Sequence, residues 1–305
     1  MKLVVLGSAA GGGFPQWNCN CRNCSGLRNG TLRATARTQS SIAVSGNGTD
    51  WVLINASPDI LAQIRATPAL QPARGGRDTG IAAVMLMDAQ IDHVTGLLML
   101  REGKRLPLYC TAAVWRELNG ALPLVPVLSH YCGVTWHELP VGDALPATSV
   151  PGVGGIRFTP IALSSKAPPY SDHRTQPEAG DNIGLLIEDA ASGKSVFYAP
   201  GLGAIDAPVE AMMRRADCVL VDGTFWHADE MIALGFSRKR AADMGHLPQS
   251  GDGGMIAHLD ALGARRKVLI HINNTNPILD DDAEERAQLA RHGIEVAFDG
   301  MEITV

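Results

Sequence analysis

The chain has 305 residues, of which 46% are apolar and 19% charged, and its formal net charge is −5. That composition allows one large domain or two ordinary ones around a substantial core. It offers no basic footprint for a nucleic-acid substrate, and no run approaches the roughly 18 consecutive apolar residues of a membrane span.

The first apolar run, residues 2–7 (KLVVLG), is too short for the core of a secretion signal and reads as a strand, so the expected compartment is the cytoplasm. The glycine-rich loop that follows, GSAAGGGFPQWN, lacks the Lys-Ser/Thr ending of a phosphate-binding loop, and no nucleotide site is expected there. Three of the six cysteines then crowd into NCNCRNC as Cys19, Cys21 and Cys24. Thiolates at this spacing can wrap one Zn²⁺ tetrahedrally. In a reducing compartment such a cluster speaks for metal rather than disulfides. Three free thiols are the plainer alternative, but together they would be open to oxidation. The expectation is a structural zinc that pins the glycine loop, with its fourth ligand from elsewhere.

Residues 40–57 read as a hairpin turning at Gly46-Asn47-Gly48. The run 81–87 (IAAVMLM) is continuously apolar, as in a strand buried on both faces. A helix over 94–102 and a strand over 106–111 follow. Residues 164–182 form a long, polar, proline-containing loop, and loops of that length often cover a site. Residues 182–203 read as a second hairpin turning at Ser192-Gly193-Lys194. Strands are expected over 217–223, 266–272 and 293–298, with helices near 206–216, 249–262 and 281–292. Each half of the chain runs hairpins first and strand–helix units afterwards, with no linker between. The reading is an α/β fold, a single domain over 1–305 with two mixed sheets packed together and helices outside.

The run DAQIDH (88–93) follows the strand 81–87, and active sites in α/β folds gather at the carboxyl ends of strands. Asp92 and His93, adjacent in a turn, can converge on one ion. Taken alone, the pair reads as a surface acid beside a capping histidine. His271 ends another apolar strand (VLIHINN), where a lone histidine is more often hydrogen-bonded core. His246 lies in a glycine-flanked loop, ADMGHLPQSG, just before a helix. The joint occurrence makes a case that none of them makes singly.

The order GSAAGGG…NCNCRNC, LINASPD, MDAQIDHVTGLLMLRE, NIGLLIE, VFYAPGLG, DCVLVDGTFW, MGHLPQSG, VLIHINNTNPIL resembles the pyrroloquinoline quinone (PQQ) biosynthesis protein B family of the metallo-β-lactamase superfamily, nearly end to end. The resemblance implies an αββα sandwich. The wider superfamily places two metals on a His-x-His-x-Asp-His run, two later histidines and a bridging aspartate. Here the first two histidine positions carry Asp88 and Gln90, the first later histidine falls near Ser164-Ser165-Lys166, and the bridge falls near Gly201. One site has lost its imidazoles; the other keeps Asp92, His93 and His271.

Two imidazoles and one carboxylate with open positions is the set typical of non-haem Fe(II) oxygenases, and it also suits a single Zn²⁺. The resemblance implies a role in making PQQ, by Fe(II)-dependent hydroxylation of the tyrosine ring of a peptide-derived Glu–Tyr precursor. A carrier of PQQ or its precursor is the second reading, and a metal-dependent hydrolase the third. His246 is the candidate proton donor or substrate ligand, and Asp88 and Gln90 the candidates for orienting the histidine rings. Asn274, three residues past His271, stands where related phosphodiesterases supply a zinc-binding histidine, and is the weak candidate for the fourth ligand of the structural zinc. Lys166, Arg101 and Arg174 are cations available to an acidic substrate, each with a plainer reading as a solvated charge. The expected partners are the precursor and the quinone, with no nucleic acid, no membrane, and room for a homodimer.

Overall fold

The computed structural model of the chain describes residues 1–142, 145–263 and 265–305. β1 (Lys2–Gly7), β2 (Ser41–Ser45), β3 (Trp51–Ile54), β4 (Ile81–Met85), β5 (Leu106–Cys110) and β6 (Val134–Glu138) form one sheet. β7 (Thr148–Ser149), β8 (Ile156–Ala162), β9 (Ile183–Asp189), β10 (Ser195–Ala199), β11 (Cys218–Asp222), β12 (Arg266–Ile270) and β13 (Ile294–Val296) form the other. β14 (Glu302–Thr304) returns to the first sheet and pairs antiparallel with β1.

The pairing follows from connection length. β1–β2–β3 and β8–β9–β10 are antiparallel, with tight turns joining β2 to β3 and β9 to β10, whereas β3–β4–β5–β6 and β10–β11–β12–β13 are parallel. Parallel neighbours need crossovers, and these carry the helices. Ile60–Ala66 lies between β3 and β4, Ala112–Asn119 and Leu124–Leu128 between β5 and β6, Ala207–Arg215 between β10 and β11, and Glu284–Arg291 between β12 and β13.

Alternation along each strand divides the core into layers. Leu3, Val5, Ile42, Ile54 and Met85 of one sheet meet Phe158, Leu185, Tyr198, Leu220 and Ile270 of the other, all buried. The opposite face of each sheet buries a second set: Leu6, Leu53 and Val84 under the first group of helices, and Phe197, Val219 and Leu269 under the second. This is the expected sandwich of two mixed sheets with helices outside. Among the described residues no helix is long and apolar enough to cross a membrane.

Both expected hairpins form, and so do the expected strands. Two helices are corrected. Residues 94–102 are one α-turn, Ile91–Val94, followed by a 3₁₀ stretch, Thr95–Leu100. The run is clamped to the end of β3: Ala56 N–H donates to His93 O at 2.7 Å and Gly96 N–H to Ala56 O at 2.9 Å. The helix expected over 249–262 begins only at Met255 and ends at Asp260. The amides of Gln249 and Ser250 are committed to Phe225 O and Trp226 O instead. Several elements had no sequence expectation. The helix Arg22–Asn29 is hidden among cysteines and polar residues. β8 contains Pro160, which is tolerated because β7 pairs only with Arg157 and Phe158 on that side.

Gly96 has no room for a side chain: a Cβ there would lie 2.1 Å from Ser57 O and 2.7 Å from Ala56 O. We expect Gly96→Ala to destabilise the fold by about 1–3 kcal/mol in urea unfolding, as overpacking does. A variant as stable as the parent would show that the 91–96 turn moves freely off residues 56–57.

Candidate metal centre

The ligand-bearing turn is held by both sheets. Beyond β4, Leu86 N–H donates to Tyr109 O and Met87 N–H to Asn55 Oδ1 at 3.0 Å, while Met87 O accepts from Ile183 N–H at 2.9 Å. Asp88 then bridges to Asn182. His271 follows β12 directly. It and Asn55 are the non-glycine residues in the left-handed region, at φ 61° and 64°. Such conformations cost of order 1–3 kcal/mol and tend to mark functional sites. The glycine loop closes the arrangement: Ala10 N–H donates to Ile272 O, and Gly11 comes so near that a Cβ would sit 3.2 Å from Asp92 Oδ2.

The result is that Asp92, His93 and His271 converge. Asp92 Oδ2 is 3.3 Å from His271 Nε2 and 3.8 Å from His93 Nε2. Donors about 2.1 Å from one ion and at ordinary angles stand about 3.0–3.5 Å apart, so these spacings fit a shared divalent cation with small adjustment. His93 Nε2 is buried and has no hydrogen-bond partner among the described residues, which is otherwise costly. Its Nδ1 faces Asp88 at 2.8 and 2.9 Å. Asp88 therefore takes one of the expected orienting roles. Gln90 does not: it contributes its backbone N–H to Asp88 Oδ1 at 2.8 Å, and no bond from its side chain to an imidazole is seen among the described residues. Burial works against the charged form of His93, but the carboxylates of Asp88 and Asp92 outweigh it and push its pKa up to about 9. Burial likewise works against ionised Asp92, yet His93 and His271 bring it well below the usual carboxylate range.

A second network lies behind His271. Asp222, at the end of β11, is fully buried. It accepts from Leu202 N–H at 2.9 Å, Thr224 N–H at 2.9 Å, Thr224 O–H at 2.6 Å and His246 Nδ1–H at 2.6 Å. Thr224 Oγ1 is also 2.9 Å from His271 Nδ1 and 2.8 Å from His271 O. A hydroxyl has one proton. Wherever that proton goes, Thr224 Oγ1 engages His271 Nδ1, and His271 Nε2 is left facing Asp92 Oδ2 at 3.3 Å. The ring of His246 stacks on that of His271 with centroids 5.4 Å apart. Burial opposes its protonation, but Asp222 outweighs burial and raises its pKa. Asp222, His246 and His271 are close enough to hold an ion themselves. We assign them no ion, because Asp222 would have to surrender four good donors first. Asp222 and Thr224 were not singled out in the sequence; the signal was a carboxylate ending an apolar strand, the pattern that also flags Asp88.

The three clustered thiols meet as well. Cys21 caps the helix Arg22–Asn29 and its Sγ accepts from Cys24 N–H at 3.4 Å; Cys19 Sγ accepts from Cys21 N–H and Cys24 Sγ from Gln16 N–H, both at 3.4 Å. Asn274 Nδ2 lies 3.0, 3.7 and 3.3 Å from the sulfurs of Cys19, Cys21 and Cys24. Asn23 adds bonds to the carbonyls of Asn274 and Asn276. Burial pushes Cys21 up to about 11, while the Cys19 thiol, less buried, is brought below its ordinary value by the Cys21 amide. The three sulfurs lie within 4.8 Å of one another, close enough to hold one ion. Asn274 closes the cup as a hydrogen-bond donor, its Nδ2 facing all three sulfurs.

The loop 164–182 reaches the site through Tyr170, whose hydroxyl donates to Ala89 O. Ser171 O–H donates to Glu117 at 2.6 Å, and His173 bridges Ser171 and Asp181 at 2.9 Å each, anchoring the loop. The three cations considered for an acidic substrate are used within the protein: Lys166 donates to Asp243 O, Arg101 to Leu98 O and Arg174 to Ala167 O.

Two sheets, the strand-end ligands and the sandwich define a class: residues 50–272 match the beta-lactamase superfamily domain model. The chain is 68% identical over 304 residues to coenzyme PQQ synthesis protein B of Cupriavidus taiwanensis, covering 99% of both chains. It is 60% identical over 307 residues to the protein of that name from Nitrosococcus oceani, again covering 99% of both. Among solved structures, Zn²⁺-bound PqqB from Methylobacterium extorquens superposes with a TM-score of 0.89 at 37% identity over the whole of both chains. A diphosphatase of the PhnP family superposes at 0.68 with 21% identity, covering 99% of this chain and 96% of that one, and so shares the fold. The chain belongs to the coenzyme PQQ synthesis protein B family.

Two outcomes follow from the geometry. Thr224→Val should lower metal affinity about 10–100-fold in chelator competition, as loss of an orienting partner does, and Thr224→Ser should restore it; equal affinity in all three proteins would remove Thr224 from the metal's support. Elemental analysis should find two ions per chain. Cys24→Ser should shed one and His93→Ala the other, and a single ion indifferent to His93 would leave the Asp92 set without metal.

Proposed function

We propose that the chain acts in PQQ biosynthesis as a mononuclear metal-dependent hydroxylase, with Fe(II) held by Asp92, His93 and His271 and a structural zinc held by Cys19, Cys21, Cys24 and Asn274. The observation that carries this reading is the orientation of the imidazoles: His93 and His271 each turn Nε2 toward Asp92 while Nδ1 is occupied by Asp88 and by Thr224. A facial set of two imidazoles and a carboxylate suits Fe(II) and leaves positions open. The Zn²⁺ in the related Methylobacterium protein supports a divalent-metal site in this family.

Bound in that set, Fe(II) supplies the redox chemistry with dioxygen. The chain's own residues do the rest. Asp88 and Thr224 fix the two rings so that no reorganisation is needed when a ligand set is required. His246, its Nδ1 held by Asp222, has Nε2 available to hold or deliver a proton beside the site. Tyr170 and Pro169 line, with Gln90, Ile91 and Asp92, a pocket open to solvent beside the site. The proposed substrate is a peptide-derived Glu–Tyr unit. Placing one oxygen atom of dioxygen on its ring consumes two electrons and two protons from outside the substrate and reduces the other oxygen to water.

The carrier reading draws on one feature, a cavity of about 970 Å³ lined by Leu163, Lys166, Met212, Arg215 and Gly245 among others, which is roomy enough for a drug-sized ligand. Fe(II)-loaded protein, mixed anaerobically with a Glu–Tyr peptide and a two-electron reductant such as ascorbate and then exposed to air, separates the two. Dioxygen uptake and a mass gain of one oxygen are expected, both abolished in His271→Ala. His246→Gln should keep its iron and lose about 10²–10⁴-fold in rate, the scale of general acid–base catalysis. Tight calorimetric binding of the quinone with no uptake under any metal would favour the carrier.

A further inference from the structure

Between β11 and β12 the chain makes an excursion over residues 227–246, closed at its neck by Ala241 N–H to Ala228 O at 2.8 Å and by His246 N–H to Ala241 O at 3.0 Å. Its inner side is fastened to the strand-exit loop beside His271. Glu230 accepts from Trp226 N–H at 2.7 Å and from the Thr275 hydroxyl, and Met231 Sδ lies 3.5 Å from Asn273 Nδ2. Its outer side is unlike the rest of the surface. Ile232, Leu234 and Phe236 are 41%, 46% and 50% exposed, and Arg238, Lys239 and Arg240 follow at once, all exposed. Those three cations pair with no carboxylate among the described residues, in a chain whose net charge is −5.

We infer that this excursion is a docking surface for an acidic polypeptide segment whose apolar side chains are flanked by carboxylates. The inference goes beyond the reaction proposed above, because the surface stands outside the Asp92 set and requires neither metal nor turnover. The chemistry selects among partners. Exposed apolar side chains next to one another mark interaction sites, and adjacent unpaired cations choose a partner of negative charge and speed its encounter. A nucleic acid would use the cations and leave the three aliphatic and aromatic side chains in water. A lipid surface is entered by longer amphipathic helices, and the helix here, Glu230–Ala233, has four residues. A polypeptide alternating glutamate with leucine or phenylalanine satisfies both features at once. The excursion ends in His246, whose ring stacks on that of His271.

The test is fluorescence anisotropy with a fluorescein-labelled peptide alternating glutamate with leucine and phenylalanine, run on the full chain. The controls are the same peptide with lysine for glutamate, a single-stranded oligonucleotide, and phosphatidylglycerol vesicles. Saturable binding of the acidic peptide is expected. It should weaken about tenfold or more in R238E/K239E/R240E and, separately, in Phe236→Ser, the loss that one or two real anchors produce. Both variants should keep two metal ions per chain, which shows that they are folded. His93→Ala protein should bind the peptide as the parent does, so that failure of the metal reading leaves this result standing. The inference is overturned if the acidic peptide fails to bind, if the lysine peptide binds as well, if the charge-reversed protein binds unchanged, or if vesicles or the oligonucleotide are bound in preference.

Discussion

The site depends on one juxtaposition: the half-buried carboxylate of Asp92 lies between an imidazole from its own turn and an imidazole from the far end of the chain. Asp92 and His271 are 179 residues apart yet 3.3 Å from one another. That distance exists because two sheets face each other over a shared core and both strands β4 and β12 end at the same edge. The apolar layer of Val5, Ile54, Met85, Tyr198 and Ile270 is therefore part of the metal site in the energetic sense. Anything that shifts the sheets by an ångström changes the spacing of the donors. The bonds from Met87 to Asn55 and to Ile183, and from Ala10 to Ile272, tie the two strand ends together across the sheets and resist such a shift.

Placing so many titratable groups out of water is expensive unless each finds an opposite charge or a donor. The structure meets that condition by stacking roles. Asp88 stands behind His93. Thr224 stands behind His271, and Asp222 stands behind both Thr224 and His246. Each outer group does two things: it offsets the burial of an imidazole, and it decides which ring nitrogen keeps its lone pair. Removing one leaves the ring both destabilised and wrongly oriented, so metal binding and fold stability are coupled in this region. The cysteine cup plays a comparable part at the opposite flank, binding the glycine loop to the residues just beyond His271 through Asn274.

How much of this could be read in advance follows from the range of the interactions. The hairpins and the apolar strands are local patterns with period two and clear turn residues, and they were legible. So were Asp92, His93, His271, the thiol cluster and Asn274, because the family resemblance carries them. The helix Arg22–Asn29 was not legible: its residues are polar or small, and its start is set by the Cys21 cap. Nor was the shortening of the 94–102 helix, which comes from contact of Gly96 with residues 56–57, forty residues back along the chain and invisible to periodicity. Asp222 and Thr224 escaped for the same reason. Their importance lies in what they face, and a buried Asp-Gly-Thr after a strand otherwise looks like an ordinary turn.

The number of ions the centre can hold follows from where its carboxylates are already engaged. Asp88 spends both oxygens on His93 Nδ1 and Gln90 N–H. Asp222 spends both on Thr224, His246 and Leu202 N–H. Asp92 Oδ2, by contrast, faces the imidazoles of His93 and His271. At the place where two-metal relatives carry a bridging aspartate this chain has Gly201, and the amide beside it, Leu202 N–H, points to Asp222. An amide hydrogen there repels a cation where a carboxylate would attract one. Asp88, at one of the lost ligand positions, is thus put to a different use: it neutralises and aims the imidazole of His93. The mononuclear centre proposed for this chain rests on that arrangement of charge, and a metal pair clamping attacking and leaving oxygens is what the proposal sets aside.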